Sequence, residues 1–474
     1  MTNSKNSSIS IQESGTRLSV KEKIGYGLGD MASNFYFQIF IVFLPMFYTN
    51  VFGISAAAFG TMILVTRIFD AVTDPVMGVI ADGTKSRWGK YRPYLIFFGL
   101  PLTIGGVLSF TTPDFSSTWK LVYAYISYSL LMILYTAINV PYASLMGVIT
   151  PDPDERTNVS QYRFVLAFIG QLIIGLSALG LVSYFGSGNE QRGWQMTVGL
   201  FGIIAVVLFA ITFFTTKERV HPPEGQKGDI VKDLKNLLSN KPWLFIGIAT
   251  IFQLTFIVMR GSSTTYYFDY YVREQSLNLF GKNLALTPAV FTSTFLPVST
   301  LATLVGAILA KFFVDKLDKK QAYSGSLMTS AILCCGFYFL QPHNVIPILL
   351  LNSAISFFIG IVSVLQWAIY TDTADYGEWK FERRNTGLIM AASLFALKVG
   401  LALGGAIFGW ILAFHGFDSS AATEPDTIFG IRMLMSFYPA VIGILGALVM
   451  LFYPLKSSVM VKIAEDLSKR RSEI

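Results

Sequence analysis

The sequence predicts an all-α polytopic membrane protein, with about twelve transmembrane helices arranged in two six-helix halves. Three observations support this class. Of the 474 residues, 53% are hydrophobic and only 14% are charged, whereas soluble domains carry about 25% charged residues. The apolar residues gather into runs of about twenty, the length a helix needs to cross the hydrocarbon core. Lys and Arg concentrate in alternate connecting loops, the pattern that marks cytoplasmic loops.

The runs lie near 26–49, 57–82, 92–111, 119–149, 161–184, 194–215, 243–272, 288–314, 322–341, 346–374, 387–414 and 428–453. On one side fall Lys85, Arg87, Lys90 and Arg92, then Lys217, Arg219, Lys227, Lys232, Lys235 and Lys241, then Lys311, Lys316, Lys319 and Lys320. Lys380, Arg383 and Arg384, and the tail residues Lys456, Lys462, Lys469, Arg470 and Arg471, join them. The other side has an uncharged 50–55 loop, a 341–344 loop without Lys or Arg, and an acidic loop from Asp418 to Asp426. An even number of spans with both termini cytoplasmic satisfies this bias. The net charge of +7 resides in these loops, so it does not indicate a nucleic-acid partner.

The division that follows is a cytoplasmic tail over 1–22, a first bundle over 23–216, a linker over 217–242, a second bundle over 243–455 and a tail over 456–474. The polar, Ser-rich start lacks the form of a cleavable signal peptide. A faint repeat relates the halves. Glu155-Arg156-x-Asn158 follows the fourth run and Glu382-Arg383-x-Asn385 follows the tenth, and the same offset superposes the basic loops at 82–92 and 309–319. Two parallel six-span repeats are the architecture of major-facilitator transporters, with the site expected at midplane between the halves.

Chemistry concentrates first at Asp70 and Asp74, inside the second apolar run. At i and i+4 they share a helix face, with Cβ atoms about 5–6 Å apart. Two like charges this close must share a proton, pair with a cation or coordinate an ion, and a carboxylate at membrane depth marks function. Arg67 could neutralise one of them, and Thr73 and Thr136 could add hydroxyl oxygens. That set suits a hard monovalent cation, and with fewer ligands a proton. Lys398, Arg260 and Arg163 are the cations on spans. Asn34, Asn139, Tyr135, Gln366 and Trp367 are the amides and aromatics that could read sugar hydroxyls and pack a pyranose face. Asp82, Arg87, Glu155, Arg156, Glu382 and Arg383 are expected to form cytoplasmic charge pairs that close that side and break on opening.

Other chemistries find little here. Cys334 and Cys335 are adjacent within an apolar run, which excludes a disulfide framework. His221, His343 and His415 lack ligand spacing. Gly78 to Ser86 approaches a phosphate-binding loop, but the Lys does not follow the second Gly and no strand precedes it. No cofactor is expected, and no nucleophile or metal constellation marks an enzyme or receptor.

Taken together, the chain resembles the glycoside–pentoside–hexuronide:cation symporter family, the melibiose-permease-like branch of the major facilitators. The resemblance spans nearly the whole chain. It is carried by Tyr26-Gly-Leu-Gly-Asp30, Arg67-Ile-Phe-Asp-Ala-Val-Thr-Asp-Pro75, Ser86-Arg-Trp-Gly-Lys-Tyr-Arg-Pro93, Val140-Pro-Tyr142, Tyr162-Arg163, Asp375-Tyr-Gly-Glu378 and Lys398-Val-Gly400. It implies a cation site at Asp70, Asp74 and Thr136, with Thr73 standing where melibiose-type members carry an amide. It also implies a sugar bordered by Arg163 and Lys398. The chain departs from the pattern where two sugar-binding acids become Asn34 and Asn139, an aromatic becomes Ala143 and a tryptophan becomes Ser363, with Trp367 one turn on.

The expected function is therefore cation-coupled symport of a sugar or sugar acid in the bacterial inner membrane by alternating access, the chain acting as a monomer. Sodium is the expected coupling ion and a proton the alternative. Two acids lost beside retained Arg163, Lys398 and Arg260 leave positive charge that an anionic sugar would neutralise, with Asp30 and Asp269 as possible partners within the chain. A cation-coupled lysolipid transporter is the rival reading.

Overall fold

The computed structural model describes residues 17–150, 153–219, 235–279, 282–381, 386–418 and 424–472. Each expected span is helical. The first half holds α1 (Val20–Gln38), α2 (Ala56–Gly83), α3 (Pro93–Ser109), α4 (Ser117–Ile149), α5 (Pro153–Gly186) and α6 (Glu190–Thr215). The second half holds α7 (Lys241–Tyr266), α8 (Pro288–Lys316), α9 (Lys319–Cys335), α10 (Val345–Phe381) and α11 (Thr386–Phe414). Its last span is two helices, α12 (Pro425–Met435) and α13 (Phe437–Leu451), broken at Ser436. An amphipathic α14 (Ser457–Ser472) follows.

Ten of these segments are long and apolar enough to cross a membrane among the described residues. The other two expected spans are helical but less simple. Helix α3 is 17 residues long, short of the ~20 that a full crossing needs. Helix α2 is 28 residues long but carries Arg67, Asp70 and Asp74 in its middle.

Two compact units divide the chain. The first comprises 1–40 and 69–226, and the second 41–68 and 227–474. In the first, α1 packs along α5 and α6, and α3 along α6 and α4. In the second, α7 packs along α11 and α13, and α9 along α13 and α10. The pairing of helices thus repeats with a shift of six spans, which gives the faint sequence repeat a structural counterpart. The segment 41–68, the end of the first span and the start of the second, belongs with the second unit. Pro45 explains part of this. Having no N–H, it leaves the Ile41 carbonyl without its i+4 donor, and π-helical turns at Ile39–Phe43 and Phe47–Phe52 flank it. The Ser262 hydroxyl of α7 donates to that carbonyl at 3.1 Å.

A feature with no sequence expectation lies between α7 and α8. There β1 (Gln275–Leu279) and β2 (Lys282–Leu286) form an antiparallel hairpin, with Gln275 opposite Leu286.

In the first unit, the contact between α1 and α5 sets the position of the polar groups described below. It depends on Gly170, where an added Cβ would lie 2.9 Å from the Met31 carbonyl oxygen. We expect Gly170→Val to separate these helices and to lower the detergent-solubilised protein's stability by about 1–3 kcal/mol, the usual cost of overpacking. A thermal-unfolding series including Gly180→Val, where nothing lies within 4 Å, checks this.

Candidate functional site

The first polar cluster lies within the first unit. The Thr136 hydroxyl of α4 donates to Asp70 Oδ1 at 2.6 Å and lies 3.1 Å from Asp74 Oδ1. Both carboxylates of the i, i+4 pair therefore converge on one hydroxyl from a neighbouring helix. Asp70 is 2% exposed, and Asp74 and Thr73 are partly buried. Thr73 donates back to the Asp70 carbonyl at 3.0 Å, so its proton is spent on the helix while its oxygen keeps a lone pair. Pro75 follows directly. It has no N–H to offer the Ala71 carbonyl. Two carboxylates and a hydroxyl form an all-oxygen set suited to a hard cation.

The second cluster joins α1 to α5. Arg163 Nε donates to Asp30 Oδ2 at 2.9 Å, and its guanidinium lies 5.7 Å from the Tyr142 ring centroid. Tyr142 stacks on Tyr26 at 4.6 Å, and each phenol donates to the other's carbonyl. Asn34, one turn after Asp30, donates from Nδ2 to the Asp30 carbonyl at 2.9 Å and accepts from Gln171 Nε2 at 2.9 Å. Gln171 has no role in the sequence reading. A polar residue eight positions after Arg163 in an apolar run is the only signal the sequence offers for it. Asn139 donates to the Tyr135 carbonyl at 3.0 Å, and Tyr135 packs edge-on to Phe40.

The remaining expected substrate residues lie in the second unit. Arg260 is 6% exposed. Its Nη2 donates to Asn352 Oδ1, and the rings of Phe295 and Phe337 lie 5.9 and 5.4 Å from it. Among the described residues, no carboxylate lies within ion-pair distance of it. Gln366 is buried, Trp367 is half exposed and packs edge-on to Tyr370, and Lys398 is partly buried.

The expected gate residues that can be placed make contacts inside the first unit. Asp82 accepts from the Tyr91 hydroxyl at 2.6 Å and lies 3.7 Å from Lys90, while Arg87 lies over Trp88. Burial and the adjacent Asp82 carboxylate push the Tyr91 phenol up. Glu155 pairs with Lys23 at 2.9 Å and accepts from the Leu18 N–H. Arg156 donates to the carbonyls of Thr150 and Gly147, capping the C-terminal end of α4. Glu382 and Arg383 lie outside the described residues. The sequence reading also misses Glu218. Its carboxylate accepts from the backbone N–H groups of Lys90, Tyr91 and Arg92 at 2.8, 2.8 and 3.1 Å, clamping the loop that leads into α3. Gly89 makes the turn possible with φ +107°, which side-chain-bearing residues resist.

Known proteins are similar to this chain over nearly its whole length. Residues 25–457 match the MFS/sugar transport protein family. The chain is 38% identical to the inner membrane symporter YicJ of Escherichia coli K12 over 96% of this chain and 97% of that one. It is 33% identical to the isoprimeverose transporter of Lactiplantibacillus pentosus, over 95% and 92%. It is 32% identical to the glucuronide carrier protein homolog of Escherichia coli K12, over 96% and 97%.

The chain belongs to the MFS/sugar transport protein family, the glycoside–pentoside–hexuronide symporters of the major-facilitator fold. It is a multi-pass sugar symporter of the inner membrane and not an enzyme.

The Glu155–Lys23 pair has a pH signature. The Lys23 hydrogen bond holds the Glu155 carboxyl below the usual carboxylate range. A depressed folded-state pKa contributes stability above the unfolded value of about 4.3, and that contribution is lost as pH falls through the folded value. The stability difference between wild type and Glu155→Gln should therefore be constant at neutral pH and shrink below about pH 4, as thermal unfolding from pH 3 to 8 would show.

Proposed function

We propose that the protein couples uptake of a neutral glycoside to a monovalent cation held by Asp70, Asp74 and Thr136. The convergence of both carboxylates on the Thr136 hydroxyl carries the cation half of this reading. Two carboxylates this close are stabilised by a proton, a metal ion or a cationic side chain such as Arg67, and of these a proton or metal ion can be exchanged on each transport cycle. Sodium fits an all-oxygen site, and a proton shared by Asp70 and Asp74 is the alternative. In either case occupancy of the pair is tied to turnover, and alternating access carries cation and sugar in together.

The neutral substrate is inferred from the groups around Asn34. The expectation of an acidic sugar counted Arg163, Lys398 and Arg260 as cations awaiting a partner. Asp30 is already the counter-charge of Arg163, and Arg260 is enclosed by Asn352 and two rings inside the second unit. What faces a ligand near Asn34 and Asn139 is chiefly amide chemistry, which suits hydroxyls that both donate and accept. The isoprimeverose-transporter relative is consistent with a glycoside, while the glucuronide-carrier relative makes a uronate the competing substrate.

Two measurements test this reading. In proteoliposomes, Asp74→Asn and Asp70→Asn should abolish cation-driven accumulation, leaving the internal sugar at the external concentration, while facilitated exchange persists. Accumulation at the wild-type level would reject the coupling role, and uptake that responds to pH but is indifferent to sodium would assign the proton. In competition assays with the wild type, neutral glycosides should inhibit uptake at millimolar levels where uronates do not. The reverse order would restore the anionic substrate.

A further inference from the structure

We propose that Gln171 determines substrate specificity, acting with Asn34 as a donor–acceptor pair that reads two neighbouring hydroxyls of the sugar. One backbone atom fixes the orientation of the pair. The Asp30 carbonyl can only accept, so the Asn34 atom 2.9 Å from it is the amide nitrogen. That places Asn34 Oδ1 toward Gln171 at 2.9 Å. Oδ1 can also only accept, so Gln171 must present its nitrogen. The orientation of both amides is thus set by the helix, without any choice of hydroxyl rotor or protonation state.

The remaining capacity is equally determined. Asn34 keeps one N–H donor. Gln171 keeps Oε1, which accepts no hydrogen bond among the described residues, and one N–H. Both side chains are partly buried, and the close approach of α5 at Gly170 holds them in register with α1. A donor and an acceptor on adjoining amides match a vicinal diol, in which one hydroxyl oxygen accepts from Asn34 and its neighbour donates to Gln171 Oε1. A carboxylate could accept from the two remaining N–H groups but would leave Gln171 Oε1 without a donor, which a diol supplies. One turn away, Asp30 neutralises Arg163. The pair therefore selects uncharged, hydroxyl-rich ligands at this point of the first unit. The inference rests on the glycoside-symport reading and adds to it the element that discriminates between sugars.

The test uses full-length protein in proteoliposomes. Isoprimeverose, methyl pentosides, methyl hexosides and methyl glucuronide are first ranked as competitors, and the strongest is then compared with its set of monodeoxy derivatives. The wild type should lose about tenfold in apparent affinity at each of two adjacent positions, the scale of one hydrogen bond in a site. Gln171→Met should lose about tenfold on the parent sugar, yet show almost no further loss on the one deoxy derivative lacking the hydroxyl that donates to Oε1. Its sodium- or proton-dependent thermal shift, which reports the Asp70–Asp74 site, should be unchanged. Equal losses by Gln171→Met on the parent and all derivatives would indicate a merely structural residue and overturn the proposal. So would a wild type indifferent to deoxygenation at every pair of neighbouring positions, a measurement that needs no variant to fold. If no glycoside competes at all, the symport reading fails and this inference fails with it. If glycosides are transported and Gln171→Met transports them normally, only this inference fails.

Discussion

A charged or strongly polar group at membrane depth needs a partner, because water is not there to solvate it. The polar clusters in this chain are different solutions to that constraint. Asp70 and Asp74 meet at Thr136, where their like charges favour an exchangeable ion. Arg163 takes Asp30, a permanent counter-charge carried on the first helix. Arg260 takes the oxygen of Asn352 and the faces of two aromatic rings, which favour a cation without supplying an anion. The three solutions suit different duties. A fixed counter-charge suits a group that holds helices together, whereas an ion shared by two carboxylates is the kind of partner that can be exchanged.

The relation between Asp30 and Asn34 shows how one turn of helix changes the chemistry. The melibiose-type pattern places an acid where this chain has Asn34. Here the acid sits four residues earlier, on the same face, where it pairs with Arg163. Position 34 is left as an amide, its nitrogen bound to the carbonyl of Asp30 itself. The charge that pairs with Arg163 and the amide at position 34 thus lie on separate residues. Charge counting at position 34 alone misses this, because the acid that pairs with Arg163 stands one turn earlier.

Much of the fold was legible in the sequence. Span positions followed from the length of apolar runs, since a helix is the only single segment that satisfies its own backbone inside a bilayer. The repeat seen in two loop motifs agrees with the repeated pairing of α1 with α5 and α7 with α11. The Asp70–Asp74 cluster stood out because two carboxylates at i and i+4 in an apolar run are too costly to keep there without a counter-charge or a proton. The break at Ser436 and the π-helical turns around Pro45 were not legible, since both depend on which neighbouring helix supplies the missing partner. Glu218 was hidden for the same reason. Its role lies in three N–H groups more than a hundred residues away in the chain.

The amides were the least legible part, and the reason is general. A carboxylate or guanidinium announces itself by cost, so its presence in a span demands an account. An asparagine or glutamine costs less and is often only a contact between helices. Its meaning lies in orientation, which is invisible until a neighbour that can only donate or only accept fixes it. In this chain the Asp30 carbonyl does so for Asn34, and Asn34 in turn does so for Gln171. The orientation of both amides thus depends on a backbone atom that the helix would supply whatever residue stood at position 30, while the side chain there pairs with Arg163.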